Sequence, residues 1–260
     1  MIKLVKAELQ KLFTTRLWWI LLLVMLLLVG VFLAIFIAVA GIENNGASFP
    51  GRDTPEWAQM VWASGVQMGW IMVMVLGVVM MTSEYRYQTI TGTLLTTPRR
   101  AQVVAGKLIT GLVVGALFAL ALLVFQAIVV IPTVLISGGE LDLSASHIPQ
   151  ISVGILVSMA LYALFGIGLG ALVRNQVAGI VIAVVWTYIV EPILSGIPVL
   201  QVVGKWLPGG AASALMNIDI DTGLGRPDLL PAWGGALILV AYGLLFAAVA
   251  SATTVRRDIT

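Results

Sequence analysis

One carboxylate falls inside a long apolar stretch: Glu191, followed by Pro192, in WTYIVEPILSG. An ionisable group at membrane depth is expensive, so it is expected to line a path, to form part of a gate, or to be locally paired. Glu191 and Pro192 are therefore candidate gate or substrate residues, and a snorkelling or locally paired glutamate near the outer surface is the alternative. The other groups able to do chemistry do not assemble. His147 is the single histidine, without an HExxH motif or a companion ligand, and the serines lack a histidine partner. No paired carboxylates or metal-ligand spacings occur in the apolar stretches. A phosphate-binding loop needs GxxxxGK followed by Ser or Thr. Lys107 and Lys205 each follow a glycine, but Ala101 and Val199 stand where the first glycine belongs, and Leu108 and Trp206 follow the lysines. The expectation is a chain with no catalytic, cofactor-binding or metal residue of its own.

A second stretch stands out for its polarity. Residues 83–100, SEYRYQTITGTLLTTPRR, carry five threonines, three arginines and a closing proline between two apolar runs. Tyr87, Ile90, Thr91 and Leu94 recur at helical spacing and Pro98 ends the run, which predicts a short amphipathic helix. The arginines serve topology on any reading. The apolar stripe of Tyr87, Ile90, Leu94 and Leu95 needs a further reason, and a stripe of this kind fits a groove on a partner.

The elements that must position these residues are membrane helices. The 260 residues are 60% hydrophobic and 10% charged, with a mean hydropathy of +1.07. A soluble domain is nearer a quarter charged. Six apolar windows, at about 17–40, 61–82, 106–136, 151–173, 177–194 and 232–255, suit helices that cross a hydrocarbon layer of about 30 Å. The runs are continuous rather than alternating, which excludes barrel strands. Ala38-Val39-Ala40 resembles a signal-peptidase site, but the apolar run before it is too long for a signal core. Cysteine is absent, so disulfides and thiolate metal sites are excluded.

With the N-terminus inside, eleven of the fourteen Lys and Arg lie on the inner side, leaving only Arg52, Lys205 and Arg226 outside. This bias predicts a multi-pass protein of the cell membrane with both termini cytoplasmic. Trp18 and Trp19 then mark the inner interface, and Trp57, Trp62, Trp206 and Trp233 the outer one. Residues 1–16 place Ile2, Val5, Leu9, Leu12 and Phe13 on one helical face and Lys3, Lys6, Gln10 and Lys11 largely on the other. That pattern suits a helix lying in the lipid surface, against the alternative of a frayed basic tail. Residues 195–231 contain two short apolar pieces broken by glycine and proline, which form a re-entrant outer cap or an ordinary surface loop. Gly65 and Gly69, Gly111 and Gly115, and Gly166 and Gly170 form GxxxG pairs, read as helix-packing faces.

Glu84-Tyr85-Arg86, Thr89, Gly92-Thr93-Leu94, Pro98-Arg99 and Gly106-Lys107 together resemble the signature of type-2 ABC exporter permeases, the class that includes drug, antibiotic-peptide and sodium efflux permeases. The N-terminal interfacial helix, the six spans and Leu207-Pro208 after the fifth span extend the resemblance over most of the chain. It implies an all-α membrane domain, residues 1–260, in which 83–105 is the coupling segment seated on an ATPase. Glu84, Arg86, Tyr87, Ile90, Gly92, Thr93, Leu94 and Pro98 would then be coupling residues. It also implies separate ATPase subunits that carry ATP and magnesium, and a second permease chain, identical or paralogous. No nucleic-acid partner is expected. An ion-coupled secondary transporter, or a non-transporting anchor or regulatory component of an assembly, are the alternative functions. The first would need an ion relay near the midplane and internal repeats, neither of which is evident.

Overall fold

The structure is a computed structural model that describes residues 1–44, 47–87, 100–139, 142, 145–197, 200–216 and 229–257. Its elements, in chain order, are α1 (Ile2–Phe13), α2 (Leu17–Val39), a two-residue hairpin pair (Glu43–Asn44 with Ala47–Ser48), α3 (Pro55–Ala63), α4 (Val66–Arg86) and α5 (Arg100–Ile136). There follow α6 (Ile148–Val173), α7 (Gln176–Val185), a π-helical turn (Trp186–Val190), α8 (Glu191–Gly196), α9 (Gln201–Gly204), α10 (Pro208–Met216) and α11 (Ala232–Arg257). The chain is an all-α integral membrane protein.

Among the described residues five helical segments are long and apolar enough to cross a membrane: Leu17–Val39, Pro55–Arg86, Gln102–Ile136, Ile148–Val173 and Gln176–Leu194. The sixth expected span coincides with α11, whose described apolar part, Ala232–Phe246, is shorter than these five. The core is built on α6, which is sheathed by α4, α5, α10 and α11 and is buried along most of its length. In contrast α2 fully buries only Met25, Val29 and Leu33, one stripe at four-residue spacing, and turns Leu23, Leu27, Val31 and Ile35 outward, as a lipid-facing helix does.

Small residues set how closely the central helices approach. A methyl group on Gly166 would strike the carbonyl of Met74, one on Gly77 that of Ala163, and one on Gly170 that of Val78, so α4 and α6 touch backbone to backbone. Gly115 meets the backbone of Met159 and Ala160 in the same way, whereas Gly111 and Gly69 meet the side-chain ends of Ile167 and Met159.

Gly65 packs closely on the side chain of Val29 in α2 and Gly69 on Met159 of α6, but the two glycines do not share one uninterrupted helix. Gly65 has φ +76°, a left-handed conformation that glycine adopts freely, and it divides the expected second span into α3 and α4. The break frees carbonyls that must find donors away from water. Gln126, fully buried in α5, supplies them: its Nε2 donates to the carbonyls of Trp62 (2.9 Å) and Ser64 (3.1 Å).

Candidate functional site

Four charged side chains meet where α1, the end of α4 and the start of α5 converge. Lys107 Nζ lies 2.6 Å from Glu8 Oε2 and 2.9 Å from Glu84 Oε1. Lys11 Nζ lies 2.8 Å from Glu8 Oε1 and 3.1 Å from Glu84 Oε1. Each lysine therefore bridges both glutamates, and the four form a closed, electrically neutral ring. Lys107 Nζ also approaches the carbonyl of Met80 at 3.4 Å, so its three N–H bonds have three acceptors.

Burial separates the members. The side chains of Lys107, Glu84 and Glu8 are 2%, 6% and 9% exposed, while that of Lys11 is 52% exposed. Charges this deep persist only when paired and hydrogen-bonded on every side. Burial pushes the Glu8 carboxyl up, but Lys107 and then Lys11 outweigh it and hold the group below its ordinary value. Burial likewise pushes the Lys11 ammonium down, and Glu8 and Glu84 outweigh it and hold it above its ordinary value. Glu8 and Lys11, the two members on α1, are therefore both ionised at neutral pH.

The sequence places these charges by simple spacing. Glu8 and Lys11 lie one turn apart on α1. Glu84 is in the last turn of α4 and Lys107 two turns into α5, at matching depths in two neighbouring antiparallel helices. The ring thus clamps together the two ends of the stretch that leaves α4 and returns in α5, and fastens both to α1.

Around the ring the expected coupling residues are distributed unevenly. Glu84 faces inward, where its Oε1 is engaged by Lys107 and Lys11. Arg86 is exposed, donates to Gln176 Oε1 at 3.1 Å, and lies 5.7 Å above the ring of Tyr87. Tyr87 closes α4 and is 68% exposed. Arg174, in a left-handed conformation at the end of α6, stacks over Tyr85 at 5.9 Å. Ile90, Gly92, Thr93, Leu94 and Pro98 lie outside the described residues. Sequence reasoning read Lys11 as a charge on the polar face of the interfacial helix and Lys107 as an inner-side charge within the Gly106-Lys107 motif, and paired neither with a glutamate. The signal that could have found the ring is a lone glutamate and a lone lysine at equal depth in consecutive apolar helices.

At the opposite end of the bundle Glu191 follows the π-helical turn directly and is 6% exposed. Its Oε1 accepts from Trp186 Nε1 and from the backbone N–H of Gly209, both at 3.0 Å. Pro192 occupies the first turn of α8 and is exposed. Gly209 belongs to the first turn of α10, so the carboxylate caps that helix, where exposed N–H groups and the helix dipole favour negative charge. In turn α10 is wedged against α6 and α11 and buries Ala211, Ala212, Ala214 and Met216.

No group of three or more His, Cys, Asp and Glu side chains able to hold a metal ion occurs among the described residues. No curated protein matches the chain. A family model described as "ABC-2 family transporter protein" matches residues 4–190, which takes in α1, the charge ring, the polar stretch and the π-helical turn.

Proposed function

Because the chain belongs to the ABC-2 family of transporter proteins, we propose that it is the permease half of an ATP-driven exporter, powered by separate ATPase subunits that dock on residues 83–100. The observation that carries this reading is the clamp at the base of that segment. A segment that transmits force needs fixed anchors, and Glu84 and Lys107, on the helices before and after it, are held to each other and to α1. Tyr87 and Arg86, exposed beside the clamp, begin the docking surface, which Ile90, Gly92, Thr93, Leu94 and Pro98 continue. Glu84 acts in it by holding the frame. ATP and magnesium belong to the ATPase, and a second copy or a paralogue completes the translocation path. The inner side of the cell membrane is then the side of the charge ring and of both termini, in line with the positive-inside bias. At the outer end Glu191 and Pro192 form the gate.

The test is co-purification. A tagged chain extracted from membranes that contain its transporter partners is expected to bring down an ATPase chain at equal stoichiometry. Recovery of the permease alone, with export insensitive to ATP depletion but abolished by collapsing ion gradients, would favour an ion-coupled carrier instead.

A further inference from the structure

In the state described here Glu191 Oε1 ties three pieces of chain together: α8, the π-helical turn through Trp186, and α10 through Gly209. Glycine at 209 is what lets the carboxylate come so close, because a β-carbon there would overlap Glu191 Oε2. The π-helical turn supplies a means of movement. It carries an extra residue per turn, and its reversion to α-helix rotates whatever follows, here Glu191 itself.

Tyr162 supplies a destination. It is a fully buried residue of α6, its ring stacked on Trp70 with centroids 5.2 Å apart and planes within 8°. Among the described residues its hydroxyl has no hydrogen-bond partner. The turn that leads into Glu191 packs toward the same place: Thr187, about one turn earlier, lies against Met74 of α4, one turn from Trp70. Tyr162 also reaches the base of α10 through aromatic contacts: Tyr162 against Phe165, Phe165 against Tyr242, and Tyr242 Oη donating to the carbonyl of Trp206 at 3.2 Å. A buried hydroxyl with nothing to bond is costly in any one state, so its retention calls for another state in which it is used.

We propose that Glu191 is a two-position latch, which holds α10 shut through the Gly209 N–H and passes to the Tyr162 hydroxyl when α10 moves aside to release cargo. The exchange replaces an N–H donor by an O–H donor at the same carboxylate, so no charge is stranded and no proton has to enter. This rests on the export role proposed above for its cargo step, but the resting latch can be read without any ATPase.

The chain has no cysteine, so Ser213→Cys in α10 gives a unique label for a membrane-impermeant maleimide added from outside. In membranes containing the complete transporter, resting labelling is expected to rise roughly tenfold in Glu191→Ala, as befits the loss of a charge-assisted hydrogen bond. In Glu191→Gln, which keeps an acceptor oxygen, it should rise by much less. Tyr162→Phe is expected to leave resting labelling, expression and ATPase recovery at the wild-type level, because the lost hydroxyl has no partner at rest. It should lower export, and the labelling seen during turnover, several-fold. Hydrogen exchange of the 205–216 region reports the same opening without the cysteine.

Resting labelling and exchange in Glu191→Ala equal to wild type would overturn the latch. Wild-type export and turnover labelling in Tyr162→Phe would overturn the second position. A wild-type chain that recovers no ATPase sinks the export reading instead, and the resting comparison still decides the latch.

Discussion

Removing Lys107 tests the charge ring most directly. Lys107→Met keeps most of the side-chain volume but leaves Glu8 and Glu84 buried with a single shared cation. Removal of one partner from a buried ion pair costs about 3–5 kcal/mol, because the remaining charge stays uncompensated. Here Lys11 still lies 2.8 Å from Glu8 and 3.1 Å from Glu84. It is half exposed and hydrated, so it offsets only part of the loss, and the lower end of the range, about 3 kcal/mol, applies. At about 2–4 °C per kcal/mol for a chain of this size, the melting midpoint should fall by about 6–12 °C. Adding Glu84→Gln restores neutrality, with Glu8 and Lys11 as the surviving pair, and should recover about 2 kcal/mol, a coupling within the range of directly contacting residues. The measurement is thermal unfolding of the purified chain in nanodiscs for wild type, both single variants and the double. A Lys107→Met midpoint within 2 °C of wild type, or a double variant as unstable as the sum of the singles, would refute the ring as a cooperative unit. If the ring also carries force, Lys107→Met should lower export per ATP hydrolysed, a ratio that a purely structural loss of folded protein leaves unchanged.

Four other outcomes test the remaining readings. Leu94→Ala or Ile90→Ala should weaken ATPase recovery by roughly thirtyfold and Arg99→Ala much less, since truncating a buried interface centre costs about 2 kcal/mol and a rim charge rarely does; equal recovery and export for all three removes the docking role. A cysteine at Ser48 should label from outside intact cells and one at Thr96 should not, and the reverse pattern inverts the topology. The stabilisation lost in Glu8→Gln should be constant from about pH 5.5 to 9, because the Glu8 contribution is present above the ordinary value of 4.5 and fades only as pH falls through its lowered one, while that of Lys11 is present below 10.5 and fades only as pH rises through its raised one; melting at stepped pH checks this. Gly166→Ala, which drives a methyl group into the Met74 carbonyl, should cost about 1–3 kcal/mol by overpacking, whereas Gly111→Ala meets only the movable end of Ile167 and should cost under about 1 kcal/mol, both read by nanodisc melting.

The membrane helices were legible because composition alone forces them: an unbroken apolar run long enough to cross the bilayer has no other stable fate, since every backbone polar group must be satisfied within the segment. The same argument explains where reading failed. Gly65 looks in sequence like half of a packing pair, and only Gln126, sixty-one residues later, shows that the helix stops there, by supplying donors for the carbonyls of Trp62 and Ser64. Hydropathy averages over such a break, because its satisfying group lies in another helix.

Charges follow the opposite logic from apolar residues. Burial of a leucine can be read from its own type, but burial of Glu84 depends on Lys107 and Lys11 being within reach, and contact between α1, α4 and α5 is a property of the fold. Counted along the chain, these lysines belong with Lys3 and Lys6 as inner-side charges. In space they separate: Lys3 and Lys6 remain exposed while Lys107 is the most buried cation among the described residues. The topological signal and the ring therefore use the same residue type for different ends. Orientation needs only the number of positive charges on one side, so Lys6→Gln should shift little beyond surface electrostatics. The clamp needs one positive charge at one depth between two carboxylates, so even Lys107→Arg, which keeps the charge but replaces a compact ammonium by a larger planar fork, should disturb it.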